Sequence, residues 1–485
     1  VFFSTYFCSI KFHFALNDSM GVTEESHYKV ISKNYQTFFY QREEEGKPLP
    51  HYLKKECQRF LSCGILSQGF IRLHCYHCNC EKLVAFSCKG RTLCPRCGGR
   101  RMNDAAAHLV DHVFKEVAVR QWVLSFPFKL RYLMAYNSKV QSKVLEITIR
   151  AISGFYKQKA KRDGIQAAQT GAVTVIQRFG GSVNLNPHFH MLFMDGVMRM
   201  GEFTPINIKD QDVHFLCRRL KTRIIRVLQK SGHWKEEPDE IFDIDQEELG
   251  ANQMMGGSIQ NRASFGPRAG QRPLQVGKTH HSTWSVPTGK CMSYLDGFSL
   301  HAGVKIGHKN REGLERLARY VARPAYAKDR VEMGNDGEVF WRLKTPWRDG
   351  TTHLKFSEEE FLERLISLIP PPRINLIRYH GVFSPRHAER NVSIPKKKSK
   401  RLTLRDTERI EYRTPWAMLL KRVFKSDVLQ CQTCKNKYEY VCEVTNPYII
   451  KKMLNHLGLE LEKVDPSPPR APPRLAKGHE WQNDD

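Results

Sequence analysis

The chain has 485 residues and a formal net charge of +27, with 77 Lys and Arg against 50 Asp and Glu. That length accommodates roughly two to four domains with a sizeable core. The cations are spread along the whole chain, which points to a polyanionic partner, most simply nucleic acid, and no uninterrupted apolar run of about 18 residues offers a membrane span.

Residues Val1 to Asn17 are apolar and aromatic, but Lys11 and His13 interrupt them, and neither a basic leader nor a small-residue cleavage site is evident. A signal peptide is therefore not expected. Val at position 1, with Met20 soon after, suggests that the first residues lie outside the native start, and residues 1–50 read as an N-terminal tail. The 14 cysteines cluster as paired ligands, the pattern of metal binding in a reducing, cytoplasmic compartment, close to the nucleoid if the partner is DNA.

His51 to Ser62 reads as a short amphipathic helix, with Leu53, Cys57, Phe60 and Leu61 on one side. Cys75-Tyr76-His77-Cys78 and Cys94-Pro95-Arg96-Cys97 follow. Two CxxC pairs at this separation predict one tetrahedral structural Zn²⁺ held by Cys75, Cys78, Cys94 and Cys97, with Cys88 the most serious competing ligand and Cys80, His74 and His77 also near. Lys82, Lys89, Arg91, Arg96, Arg100 and Arg101 surround the knuckles, as a nucleic-acid-facing zinc ribbon over residues 51–103 would need.

The next predicted elements are a helix from Asp104 to about Val117, a strand over Gln121–Phe126 ended by Pro127, and a long amphipathic helix from Ser138 to about Lys161. Gly171–Phe179 is a second strand, Gly180-Gly181 a turn, and Asn184-Leu185-Asn186-Pro187-His188-Phe189-His190-Met191-Leu192-Phe193 a third. Alternate side chains of a strand share a face, so His188 and His190 stand side by side while Phe189 turns into the core. Two neutral imidazoles on one strand make half a divalent-metal site with open positions for substrate oxygens. The same pattern also describes the polar face of an ordinary strand. These elements predict an α+β domain with a central antiparallel sheet over residues 104–345.

Val213–Lys230 reads as a basic helix, and residues 247–278, rich in Gly, Gln, Asn and Arg, as a mobile loop. Phe298–Ile306 alternates as a half-buried strand with His301 on its polar face, a candidate third ligand or simply an exposed strand histidine. In the helix from Arg311 to Pro324, Leu314, Leu317, Ala318 and Val321 form an apolar stripe. Tyr320 borders that stripe beside Arg316, Arg319 and Arg323, and Pro324 ends the helix. Taken alone, Tyr320 is an amphipathic anchor or a hydroxyl aimed at a phosphate.

Cys94–Cys97, Asn184–Leu192, Phe298–Ala302 and Leu314–Pro324, in this order, resemble the HUH-type rolling-circle transposases of insertion-sequence common-region elements. The resemblance also rests on Ala85–Arg91, Arg178–Gly181, Pro346–Leu354, Pro370–Arg373, Arg378–Val382, Pro415–Ala417, Arg422–Phe424 and Cys431–Cys434. It implies an HUH endonuclease domain behind a small zinc ribbon. By this resemblance His188 and His190 hold Mg²⁺ or Mn²⁺ at a DNA phosphate, and Tyr320 is the nucleophile of a single-strand nicking and strand-transfer reaction through a 5′-phosphotyrosine; His301 is a candidate third ligand from its strand position alone. Arg316, Arg319, Arg323, Arg96, Arg100 and Arg101 are the candidate DNA contacts. The implied partners are single-stranded or hairpin element ends, a second copy of the chain, and host replication factors.

Relatives with two tyrosines four residues apart differ here, because position 324 is proline and Tyr326 lies beyond the helix break. The chain thus resembles the single-tyrosine branch. Two alternatives compete: a rolling-circle replication initiator, disfavoured by the lack of a GxxxxGK[ST] loop, and a non-catalytic zinc-ribbon DNA-binding regulator. Residues 346–430 read as a basic extension containing the run Lys396–Arg401. Cys431 and Cys434 form a lone CxxC in a small segment over 431–465, with only Cys442 nearby; a second zinc is one reading, and the lack of a clear fourth ligand favours no bound metal there. The Pro-rich end after Pro466 is expected to be disordered.

Overall fold

The computed structural model describes residues 25–115, 117–234, 249–279, 289–388 and 429–459. The expectations for the first residues, the Lys396–Arg401 run, Pro415–Phe424 and the end after Pro466 lie outside the described residues.

Two helices, α1 (Ser26–Glu44) and α2 (His51–Leu61), precede the hairpin β1 (Phe70–Cys75) and β2 (Cys80–Ala85). The supposed tail thus carries a packed helix, because Val30, Ile31, Tyr35, Phe38 and Phe39 recur at helical spacing and are all buried. Helix α3 (Pro95–His108) begins nine residues earlier than the apolar pattern suggested. Pro95 occupies its first turn, where no N–H is needed, and Cys94 caps it, its Sγ accepting from the Cys97 N–H. Leu109–Val113 prolongs α3 as a π-helical turn.

The central domain follows with β3 (Val119–Ser125), α4 (Phe128–Tyr136), α5 (Ser138–Arg162), β4 (Gly171–Phe179) and β5 (Leu185–Met194). After a small hairpin, β6 (Gly196–Arg199) and β7 (Glu202–Pro205), come α6 (Asp210–Lys230) and α7 (Leu249–Ile259). Strands β8 (Leu274–Val276), β9 (Met292–Leu295) and β10 (Phe298–Ile306) lead to α8 (Arg311–Val321). Then come β11 (Val331–Met333), β12 (Glu338–Arg342), β13 (His353–Ser357), α9 (Glu358–Ser367) and β14 (Ile377–Gly381). The described chain ends with β15 (Glu439–Val444) and α10 (Pro447–His456).

The fold is α+β with antiparallel sheets. Six strands pair in the order β14-β4-β5-β3-β10-β9, so the histidine strand lies in the middle of the sheet. Alternation on β5 divides two cores: Phe189, Met191 and Phe193 pack with α4, α5 and α6, while Leu192 and Met194 pack with α3 and α8. A second sheet, β11-β12-β13-β8, packs Trp341, Leu354 and Phe356 with α9 and α1. A third, β15-β1-β2, joins the end of the chain to the cysteine-rich hairpin.

Two expectations need correction here. Residues 249–259 within the supposed mobile loop form α7, whose Ala251, Met254 and Ile259 are buried and whose Gly257 meets the Ser264 hydroxyl at close range. Glycine hides this helix in the sequence, because it is read as a breaker where close approach is its use. The boundary at 345 also fails: β13 pairs with β12 and β14 extends the central sheet through β4, so the central domain continues into the supposed basic extension. Ser357 and Glu360 form a capping box that starts α9.

Candidate active site

Register on the central sheet decides which side chains meet. His190 on β5 lies opposite Val123 on β3, and Gln121 lies two residues back on that same face. Pro187 is the third residue of β5, next to the partly exposed His188, and His190 is buried. The Nδ1–H of His188 donates to the Asn186 carbonyl at 2.7 Å, leaving its Nε2 as a lone pair. That Nε2 stands 3.1 Å from Nε2 of His190, and the Nδ1 of His190 is 2.8 Å from the Gln121 side-chain amide nitrogen. Burial lowers the pKa of His188 to about 4, with Arg131 and Arg323 adding to the shift. His190 falls to about 3 through burial, then His188 and Arg323.

These neutral imidazoles fit a divalent ion. Two nitrogens at about 2.1 Å from one octahedral centre stand about 3 Å apart, which is the separation found between the two Nε2 atoms. Presenting the Gln121 amide oxygen instead of its nitrogen would place the His190 proton on Nδ1 and leave both Nε2 lone pairs free. His301 does not join them. It lies on β10, across Val123 from His190, so an entire strand separates the two histidines. Among the described residues, no third His, Cys, Asp or Glu completes a cluster with His188 and His190.

Helix α8 covers this face of the sheet. Leu314, Leu317, Ala318 and Val321 are buried, and their burial contributes on the order of 1.5–3 kcal/mol for each larger side chain. Asn310 caps the helix through the Gly313 N–H, and Gln177 on β4 donates to the Val321 carbonyl at 2.6 Å. Arg311 donates to the carbonyls of Val110, Phe114 and Lys115, taking up acceptors around the π-helical turn. So anchored, α8 holds the Tyr320 ring 5.9 Å from the His190 ring, edge to face, with Tyr320 41% exposed. The Arg323 guanidinium lies 4.7 Å and the Lys344 ammonium 5.4 Å from the centre of the tyrosine ring.

The other predicted cations divide. Arg316 is exposed near Glu312, and Arg319 pairs with Glu315 at 3.3 Å on the same helix. Arg100 and Arg101 are exposed on α3, Arg101 donating to the Lys89 carbonyl. Arg96 instead pairs with the buried Glu25 at 2.8 Å, which commits it to holding the start of α1. Tyr326 is buried, and its hydroxyl donates to the Leu93 carbonyl, so the second tyrosine faces the cysteine-rich core. Burial raises its pKa well above the ordinary range.

The cysteines regroup relative to the sequence expectation. Cys94 and Cys97 do not meet Cys75 and Cys78; they gather with Cys63 and Cys88 in one buried cluster. Its sulfurs lie 3.6 Å (Cys63–Cys94), 3.7 Å (Cys63–Cys97) and 3.6 Å (Cys88–Cys97) apart. Thiolates about 2.3 Å from a tetrahedral zinc are about 3.8 Å from one another, so this set fits a closed structural Zn²⁺ site. The CxxC spacing draws attention to the wrong partners because Cys63 is a single residue at the end of α2 and carries no local motif. Hydrogen bonds from Cys63, Cys88 and Cys94 hold the Cys97 thiol below its ordinary range, at the start of α3 where the helix dipole favours an anion.

This cluster also touches the tyrosine helix. A Cβ on Gly98, one residue after Cys97, would lie 2.7 Å from the Pro324 Cβ, so the first turn of α3 presses directly against the end of α8. Gln121, Gln177, Lys344 and Cys63 are the contributors that spacing did not reveal.

Two family models match the chain: a "Transposase zinc-binding domain" over residues 30–126 and a "Putative transposase" over residues 171–391. The first spans the four-cysteine cluster and the second spans His188, His190 and Tyr320. Comparison with curated proteins and with solved structures yields no significant match. Among the described residues no helix is long and apolar enough to cross a membrane. A zinc-binding domain that supports structural Zn²⁺ thus precedes a DNA-processing domain, and the chain belongs to the transposases built from these two domains in this order.

Proposed function

We propose that this transposase nicks and transfers single-stranded DNA through a 5′-phosphotyrosine on Tyr320, in the manner of rolling-circle transposition. The observation that carries the reading is the convergence of two facing Nε2 atoms, His188 and His190, with an exposed tyrosine on the helix that covers them. The phenolic oxygen attacks phosphorus in line with the leaving 3′-oxygen. The new O–P bond forms as the P–O3′ bond breaks, and the phenolic proton is replaced, through solvent, by one on the released 3′-hydroxyl. The bond energy stays in the protein–DNA link, so rejoining requires no nucleotide hydrolysis.

His188 and His190 would hold Mg²⁺ or Mn²⁺, which when bound neutralises a non-bridging phosphate oxygen. Gln121 and the Asn186 carbonyl orient the two rings. Arg323 and Lys344, beside the tyrosine ring, set positive charge next to the nucleophile and attract the anionic strand. Arg316, Arg100 and Arg101 extend the cationic surface, and affinity for DNA should fall steeply with salt through counterion release. Element ends as single strands or hairpins are the proposed substrate. The central buried position of Tyr326 leaves Tyr320 to serve both cleavage and transfer, either by reuse or from a second copy of the chain.

The test is a labelled single-stranded element end incubated with the protein and Mg²⁺ or Mn²⁺, with a chelator as control. The reading requires a covalent adduct whose digest places the nucleotide on the peptide containing Tyr320, and a free 3′-end extendable by a polymerase. Cleavage that leaves no protein-linked DNA would sink it.

A further inference from the structure

The second cysteine set lies where the sequence, for lack of a clear fourth ligand, favoured no bound metal. Cys75 and Cys78, at the turn of the β1–β2 hairpin, face Cys431 and Cys434, which arrive 353 residues or more later in the chain. The sulfurs are 3.4 Å (Cys75–Cys434) and 3.5 Å (Cys78–Cys431) apart. These separations far exceed a disulfide bond of about 2.05 Å and approach the roughly 3.8 Å edge of a tetrahedral zinc–thiolate site. All four ligand atoms lie within 4.8 Å of one another.

The backbone supplies a second, independent argument. In the first knuckle the Asn79 N–H donates to the Cys75 carbonyl at 2.8 Å, and Asn79 has φ 55°. In the second the Lys435 N–H donates to the Cys431 carbonyl at 3.0 Å, and Lys435 has φ 62°. Each CxxC therefore closes the same turn, with a non-glycine residue just after the second cysteine held in the left-handed region that such residues seldom adopt. Two matching turns, facing each other, offer their sulfurs to one point. Beside them Cys80 lies 3.5 Å from the Thr433 hydroxyl and is not one of the four, and Cys442 on β15 also stands outside the set.

We infer that Cys75, Cys78, Cys431 and Cys434 form a second structural Zn²⁺ site that clasps the C-terminal segment onto the N-terminal hairpin. Four thiolates select a soft ion in closed tetrahedral geometry, with no open position for substrate. The clasp completes a composite ribbon. Strand β15 pairs along β1 from Phe70 opposite Val444 to His74 opposite Glu439, covering a sheet edge that would otherwise be open. Ile450 and Leu454 of α10 pack with Phe70 and Val444 in a small core of their own. Such a core is too small to secure the segment well by itself, which is where a metal contributes most. The transposase body is thus enclosed between the two halves of one zinc module. This inference is independent of the cleavage chemistry.

The test uses the full-length chain, purified under reducing conditions, with zinc measured by mass spectrometry against protein concentration. Two zinc ions per chain are expected, and the double variant Cys431→Ser/Cys434→Ser should hold one, whereas Cys442→Ser should keep two. Amide exchange should rise in residues 439–444 of the double variant and stay unchanged in β4 and β5. Should the double variant not fold, thiol alkylation of the unaltered protein with a graded chelator decides the matter: Cys75, Cys78, Cys431 and Cys434 should become reactive together as one zinc leaves. One zinc in the unaltered chain, two in the double variant, or alkylation of the four cysteines unlinked to zinc release would overturn the inference.

Discussion

The facing histidines and the buried Cys63–Cys88–Cys94–Cys97 cluster are both convergences of metal-binding side chains, and they differ in openness. Four sulfurs close the cysteine cluster on itself, beneath Leu93 and Tyr326. The histidine pair supplies two nitrogens only and has a half-exposed tyrosine beside it. A complete ligand shell holds a fold together, while an incomplete one leaves positions for a substrate. The two sites are nevertheless joined through Gly98 and Pro324, where the helix that begins at the cysteines meets the end of the helix that carries Tyr320. The comparison predicts that removing a ligand from one site costs folding, and from the other costs chemistry.

The sharpest separation should come from a pair of variants. Cys94→Ser removes one thiolate of a closed set and should release about one zinc, with loss of folding energy on the order of 10 kcal/mol at most and destabilisation spreading from α2 and α3 to α8. Thermal melting and metal content read the effect directly; a variant with full zinc content and an unchanged melting profile would remove the cluster from its structural role. His190→Ala should instead leave the melting profile near that of the parent while reducing nicking about 10²–10³-fold. Its DNA affinity should persist, because phosphate contacts elsewhere dominate binding. If His190→Ala unfolds the protein as Cys94→Ser does, the proposed contrast between the sites disappears.

Gln121→Leu tests positioning at the open site. It keeps the bulk of the side chain and removes the amide that orients His190, so nicking should fall about 10–100-fold, with the required Mn²⁺ concentration rising. An unchanged metal dependence would show that Gln121 merely packs. Gly98→Ala tests the bridge between the sites. The added methyl group meets Pro324, a ring with little freedom to move, and should cost about 1–3 kcal/mol in stability and a few-fold in nicking rate. Normal melting with normal nicking would uncouple the cysteine cluster from the tyrosine helix.

How much of this could be read beforehand depends on the range of the signal. The alternation of His188, Phe189 and His190 is local, and the two faces of β5 follow from it. So is the apolar stripe of α8, with Tyr320 at its border. The partners of these elements depend on sheet register: Gln121 reaches His190 only because β3 and β5 pair as neighbours, which no spacing along the chain encodes. The same limit misplaced the cysteines. Each CxxC knuckle is a local motif, but which knuckles share a site depends on the path of the chain through space. The route from Cys78 back to Cys431 runs through the entire transposase body. His301 failed as a ligand for a related reason, since a correct strand and a correct face still left Val123 between it and His190. Helix α7 escaped notice because its glycines serve close packing against Tyr132 of α4, the Ser264 side chain and the Lys47 carbonyl rather than a turn.

The central claim is that Tyr320 is the nucleophile and Tyr326 is a structural neighbour of the zinc cluster. Denaturing gels of a labelled single-stranded element end, run with the parent protein, Tyr320→Phe and Tyr326→Phe, test it most directly. Tyr320→Phe keeps the ring between Arg323 and His190 and removes the attacking oxygen, so the covalent adduct should fall at least about 10³-fold while DNA binding and melting stay unchanged. Tyr326→Phe loses one buried hydrogen bond to Leu93, worth about 1 kcal/mol of stability, and should retain the adduct. An adduct that survives in Tyr320→Phe and vanishes in Tyr326→Phe would contradict the account.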